Sequence, residues 1–184
     1  MSEKEKHVFD NIYARRSVRS FIEGKQVGRD TTVRLLEAAM AAPSACNIQP
    51  WEFVVVSEPS AVESVKSTVM QGAYNAPLLI VVCGNPQFIP WSDDFGALDC
   101  AAAIENMLLA AEAMGLGSVW IGGFDRDAVR RLLDIPGDII PVGIVYFGYP
   151  AYSPEPRTQY TEKAVHWEKY DAARPREKKA GSIV

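Results

Sequence analysis

Residues 15–19 read Arg15-Arg16-Ser17-Val18-Arg19 and run on into Ser20 and Phe21, placing three guanidinium groups and a hydroxyl within five residues. Such a cluster repels itself until an anion or nearby carboxylates neutralise it. A phosphate monoester suits it, because guanidinium forks match the phosphate oxygens bidentately. The same residues also suit a solvated helix end. A second stretch, Pro43-Ser44-Ala45-Cys46-Asn47-Ile48-Gln49-Pro50-Trp51, brackets small and amide residues between two prolines, with an aromatic at its exit. Ser44, Asn47 and Gln49 can donate and accept hydrogen bonds without adding charge. That fits the polar edge of a heteroaromatic ring, and equally a turn that satisfies its own backbone. A third stretch is Gly115-Leu116-Gly117-Ser118-Val119-Trp120-Ile121-Gly122-Gly123-Phe124. It is not a dinucleotide fingerprint: Trp120 stands where the third glycine belongs, and the glycines follow a helix rather than a strand. Gly122-Gly123 lies between a β-like run and a helix, where glycine lets backbone N–H groups approach a ligand closely, or simply turns the chain.

Acid–base and nucleophilic groups are scarce. Cys46 is the only tempting nucleophile, and neither His7 nor His166 is near it in sequence. Three cysteines (Cys46, Cys83, Cys100) without a CxxC, and two histidines, make a zinc site improbable, so no metal is expected. This scarcity points to chemistry carried by a bound cofactor.

The elements that must position these groups follow from periodicity. The 184 residues suit a single domain over 1–184, with enough apolar sequence for a sizeable core. A net charge of −4 argues against nucleic-acid or anionic-membrane partners. The short basic stretch 174–179 does not reverse this, and the tail 170–184 is expected to be frayed or packed on a partner. A charged start, unpaired thiols and only short apolar runs point to a soluble cytoplasmic protein. One helix carries Val8, Phe9, Ile12 and Tyr13. A second, capped by Asp30 or Thr31, carries Val33, Leu36 and Met40 on one face. A third follows Pro59, with Val62, Val65 and Val69. A fourth, over 95–114, is apolar nearly all round, which suggests a subunit interface, and Gly115 stops it. A fifth starts at Asp125, with Val129, Leu132 and Leu133 inward. Val- and Ile-rich runs at 52–57, 78–83, 118–121 and 140–147 suggest a sheet covered on both faces. Periodicity leaves α/β and α+β open.

Taken together, the three motifs resemble the nitroreductase family of flavoproteins, in order and spacing, over nearly the whole chain. The resemblance implies an α+β fold with a central mixed β-sheet flanked by helices, and an intertwined homodimer with FMN at its interface. It implies that Arg15, Arg16, Ser17 and Arg19 hold the FMN phosphate and ribityl chain. Pro43, Ser44, Ala45 and Asn47 would come from the partner subunit. Trp120, Ile121, Gly122 and Gly123 would line the isoalloxazine, with the Gly122 N–H toward N5. Many family members have glutamate at that position, and this chain has glycine. Arg157 would complete the phosphate site, and Gln71 would reach the pyrimidine edge. The implied activity is an FMN-dependent oxidoreductase that passes hydride from NADH or NADPH to a nitroaromatic, quinone or similar small-molecule acceptor by a ping-pong scheme. The alternatives are a relative with another flavin reaction (flavin fragmentation, dehalogenation or ring dehydrogenation) and a non-catalytic flavin-binding module. The segment 88–94, with Pro90 and Trp91, is a candidate lid.

Overall fold

Leu78–Gly84 is apolar throughout and buried at every position, as a strand must be when both faces of its sheet are covered. It lies inside a four-stranded sheet. In a computed structural model that describes residues 3–88, 93–158 and 160–174, the strands are β1 (Trp51–Val56), β2 (Leu78–Gly84), β3 (Gly117–Ile121) and β4 (Ile140–Gly148), in the order β1-β2-β4-β3. All three ladders are antiparallel. Among the described residues, a parallel element enters through the bridge between Ser17 and Ser118. Pro141 lacks the N–H a ladder needs, and the β2–β4 register slips beside it, between Val82 and Cys83.

The helices are α1 (Glu3–Ala14), α2 (Arg29–Met40), α3 (Pro59–Lys66), α4 (Asp93–Ala113) and α5 (Arg126–Leu132). They cover both faces. Because side chains alternate along a strand, Leu79, Val81 and Cys83 join a core with Val62 and Val65 of α3 and Val129 of α5. Leu78, Ile80 and Val82 join a second core with Leu35 of α2 and Ile104 and Met107 of α4. Gly115, at φ +70°, ends α4 as expected. The N–H of Gly115 donates to the Glu112 carbonyl and that of Leu116 to the Ala111 carbonyl, the paired bonds of a glycine C-cap.

Several expectations need correction. On α2 the buried residues are Thr32, Leu35 and Ala39, while Val33 and Met40 are exposed. Small Ala39 lets α2 approach α4 closely, and Asn106 of α4 donates to the Ala38 carbonyl at 3.0 Å. Gly28, not Asp30 or Thr31, occupies the N-cap; Asp30 instead complements the helix dipole from the first turn. On α5, Asp125 caps the helix by accepting from the Ala128 N–H at 2.9 Å, but Leu132 faces outward. The sheet and α2 also cover more of α4 than its composition suggested, since Cys100, Ala103, Ile104, Met107 and Ala111 are fully buried in this one chain. Exposed apolar side chains include a run on α1, Val8, Phe9, Ile12 and Tyr13, and Leu98 on α4 itself.

Candidate functional site

The arginine segment is positioned by β3. The Val18 N–H donates to the Ser118 carbonyl at 2.9 Å, and Val18 is buried. With Val18 inward, its neighbours Ser17 and Arg19 turn away from the core. Arg15, Ser17, Trp120 and Gly122 then line a single cleft of about 310 Å³, joined by Glu105 and Leu108 of α4. Four residues singled out from separate stretches of sequence thus share one site.

Its charges are organised around Arg15. The Arg15 Nε lies 3.6 Å from Glu105 Oε1, and both side chains are partly exposed. A pair so loose and so wet is weak, leaving the guanidinium available to a better anion. Glu112, two turns along α4, has its pKa raised by burial, and Arg15 pulls it the other way. Arg16 donates to the Glu155 carbonyl, and the Arg157 N–H donates to the Tyr13 carbonyl at 3.1 Å. The late segment around Arg157 therefore lies against the end of α1, beside the arginine run. Arg19 Nη1 bends back to the Ser17 carbonyl at 3.3 Å.

Trp120 is 39% exposed. Its indole lies over Gly143 of β4, where an added Cβ would sit 2.3 Å from Trp120 Nε1. Gly122 and Gly123 differ from that glycine: a Cβ added to either meets nothing within 4 Å, and neither has positive φ. They form an open shelf beside Trp120. The shelf is pinned from behind, because the Met70 N–H donates to the Gly123 carbonyl at 3.0 Å, the Asp125 N–H donates to the Thr68 carbonyl at 2.9 Å, and Val69 bridges Phe124. Gln71, one residue beyond Met70, is exposed near this turn. Ile121 is buried in the sheet core, so its backbone rather than its side chain would face a ligand.

The 43–51 loop stands apart. None of Pro43, Ser44, Ala45 or Asn47 lines the cleft. The loop is tightly made: Cys46, Asn47 and Gln49 have φ of 52°, 56° and 56°, a left-handed conformation uncommon outside glycine. The Ser44 hydroxyl accepts from the Gln49 N–H at 2.9 Å, and Asp99 accepts from the Ala45 N–H. Both readings of this loop are therefore visible: it satisfies its own backbone, and it leaves Cys46 and Asn47 exposed. Sequence reasoning missed Glu105 and Asp99. Their signal was a carboxylate interrupting an otherwise apolar helix. Residues 89–92 of the candidate lid and 175–184 of the tail lie outside the described residues. Among the described residues, no group of histidine, cysteine and carboxylate side chains could hold a metal, and no helix is long and apolar enough to cross a membrane.

Comparison with known proteins gives this arrangement a context. The family model described as the Nitroreductase family matches residues 12–73 and 62–149. An Archaeoglobus fulgidus protein named "Putative NADH dehydrogenase/NAD(P)H nitroreductase" is 41% identical over 145 residues, covering 76% of this chain and 83% of that protein. A Methanothermobacter thermautotrophicus protein of the same name is 36% identical over 171 residues, covering 89% of this chain and 87% of that one. The crystal structure of a protein of that name from Bacteroides thetaiotaomicron superposes with a TM-score of 0.81 at 37% identity, covering 89% of this chain and 98% of that one. The chain belongs to the nitroreductase family, with that family's α+β fold. It is an NAD(P)H-dependent oxidoreductase of a family that works with FMN.

Proposed function

We propose that this chain binds FMN in the cleft between the arginine segment and the Gly122-Gly123 shelf, and that it transfers hydride from NADH or NADPH to a nitroaromatic, quinone or similar small electrophile. The observation that carries the reading is the convergence of Arg15, Ser17, Trp120 and Gly122 on one cleft. The residues fit the group. Guanidinium and hydroxyl donors suit a phosphate and a polyol chain, and Gly122 and Gly123 leave open the space a planar ring needs. FMN held there would supply the hydride-transfer chemistry that this chain's own side chains lack.

The chain's own residues bind and orient. Arg15, Arg16, Ser17 and Arg19, with Arg157, hold the anionic end. Trp120, Ile121, Gly122 and Gly123 would support the ring, with the Gly122 N–H as a backbone donor to it and Gln71 as a further polar contact. A backbone donor needs no side chain, so glycine in place of the usual glutamate would keep that donor and remove a carboxylate.

Pro43, Ser44, Ala45 and Asn47 complete the site from a second copy. Their absence from this chain's own cleft, and the exposed apolar stripe on α1, support a homodimer of single-domain protomers. A reducing cytoplasm fits three free thiols.

The test is spectroscopic. The purified protein should show flavin bands with FMN bound, and these should bleach anaerobically with NADH or NADPH and return on adding a quinone. A protein that stays colourless after addition of FMN overturns the reading. Flavin that binds but resists both nicotinamides would make the chain a binding module.

A further inference from the structure

Asp99 lies on α4 with 6% of its surface exposed. Its Oδ1 accepts from the Ala45 N–H at 3.1 Å, and its Oδ2 is buried without a hydrogen-bond partner. Buried carboxylates ordinarily satisfy both oxygens, because each desolvated oxygen left without a donor is costly. The engaged oxygen, Oδ1, is the one that reaches the 43–51 loop. Here it grips a loop whose backbone needs gripping: three non-glycine residues within 46–49 occupy the left-handed region, which persists only where surroundings impose it. The other restraints are internal to the loop. The Asn47 N–H donates to the Ser44 carbonyl, the Ile48 N–H to the Ala45 carbonyl, and the Gln49 N–H to Ser44 Oγ. Among the described residues, the Ala45–Asp99 bond ties the loop's interior to another element.

We propose that Asp99 is a positioning residue that sets residues 44–49 in the conformation with which they meet the FMN of the partner subunit, and that it acts through the single oxygen bound to the Ala45 N–H. The proposal rests on the FMN reading above for its consequence, though not for its geometry. Among the described residues of the chain Oδ2 accepts no bond, so the hold on the loop runs through Oδ1. Asparagine keeps the required acceptor in a side chain of the same shape, whereas alanine removes it.

The experiment uses the full-length protein, Asp99→Ala and Asp99→Asn, with two readouts. Hydrogen exchange of the Ala45–Gln49 amides reports the loop without reference to flavin. Wild type and Asp99→Asn should protect these amides alike, and Asp99→Ala should lose at least tenfold in protection there while α4 and the sheet keep theirs. FMN affinity, by fluorescence titration, should fall tenfold or more in Asp99→Ala and stay within threefold of wild type in Asp99→Asn. Equal loss in both variants would place the role in the charge or in Oδ2 and overturn the proposal. So would unchanged loop protection in Asp99→Ala. If Asp99→Ala does not fold, exchange and affinity in Asp99→Asn still decide the matter, since a loss there contradicts it. Failure of wild type to bind FMN would remove the flavin reading alone and leave the exchange result to judge the loop.

Discussion

Val18 and Gly117 are in direct contact: a Cβ built on Gly117 would lie 2.8 Å from Val18 Cγ1. Only a residue without a side chain lets the arginine segment lie this close to β3, and the Val18–Ser118 hydrogen bond depends on that approach. The glycine in the strand therefore positions the guanidinium groups, although it touches no ligand itself.

Two alanine substitutions should separate structural from site glycines. Gly117→Ala overpacks the Val18 contact and should destabilise the fold by about 1–3 kcal/mol, read as a lower Tm. Gly122→Ala adds a methyl where the chain offers open space, so Tm without flavin should hold while FMN affinity and the rate of reduction fall. A Gly122→Ala protein that binds and reduces FMN like wild type would remove the shelf from the site.

Arg15→Ala and Arg19→Ala should each weaken FMN binding. A hydrogen bond to a charged group contributes about 1.5–3 kcal/mol, which corresponds to roughly a 10–100-fold rise in Kd. Lysine should restore only part of the loss, since it cannot match the fork. Fluorescence titration at two salt concentrations measures this, and wild-type affinity in both alanine variants would contradict the assignment.

The buried ionisable groups give an alkaline signature. Burial, first among the causes, pushes the Cys83 and Cys100 thiols from 9.0 up to about 12, and the Tyr146 phenol from 10.0 up to about 12. The folded chain thus keeps protons that the unfolded chain has lost. Stability is fully present below the unfolded values and falls as pH rises toward the folded ones. Tm should decline from about pH 9 upward. Tyr146→Phe should flatten part of that decline and should not destabilise the protein, because the hydroxyl is buried without a partner. Under native conditions a thiol reagent should label exposed Cys46 and spare Cys83 and Cys100, which mass spectrometry resolves.

The α1 stripe supplies a test of assembly. Val8, Phe9, Ile12 and Tyr13 are each 40% exposed or more, and a homodimer would cover them. Ile12→Glu should shift the mass in solution from two chains to one and lower FMN retention with it. An unshifted dimer would move the interface elsewhere.

What the sequence displayed, and what it hid, has a physical pattern. The strand at Leu78–Gly84 was legible because a segment buried on both faces is apolar at every position. The α4 stop was legible because Gly115 carries the positive φ. The α2 face is ambiguous in sequence because apolar residues lie on two sides of that helix: Leu35 and Ala39 face the core, while Val33 and Met40 are exposed. Periodicity finds a stripe and does not say what covers it. Arg15, Ser17 and Gly122 stand out by residue type and Trp120 through the family resemblance, yet their convergence depends on the backbone bridge from Ser17 to Ser118, which leaves no compositional trace. Glu105 and Asp99 carry no motif that sets them apart from ordinary polar positions of a helix.

The turn at Gly122-Gly123 is fastened on its far side by Met70 and Thr68. A floor fixed before anything rests on it has little freedom left to surrender on loading. Whatever ordering accompanies occupancy should therefore fall on the rim, where the left-handed Cys46, Asn47 and Gln49 have to be held in place. Empty and loaded protein should differ at that rim and agree beneath it.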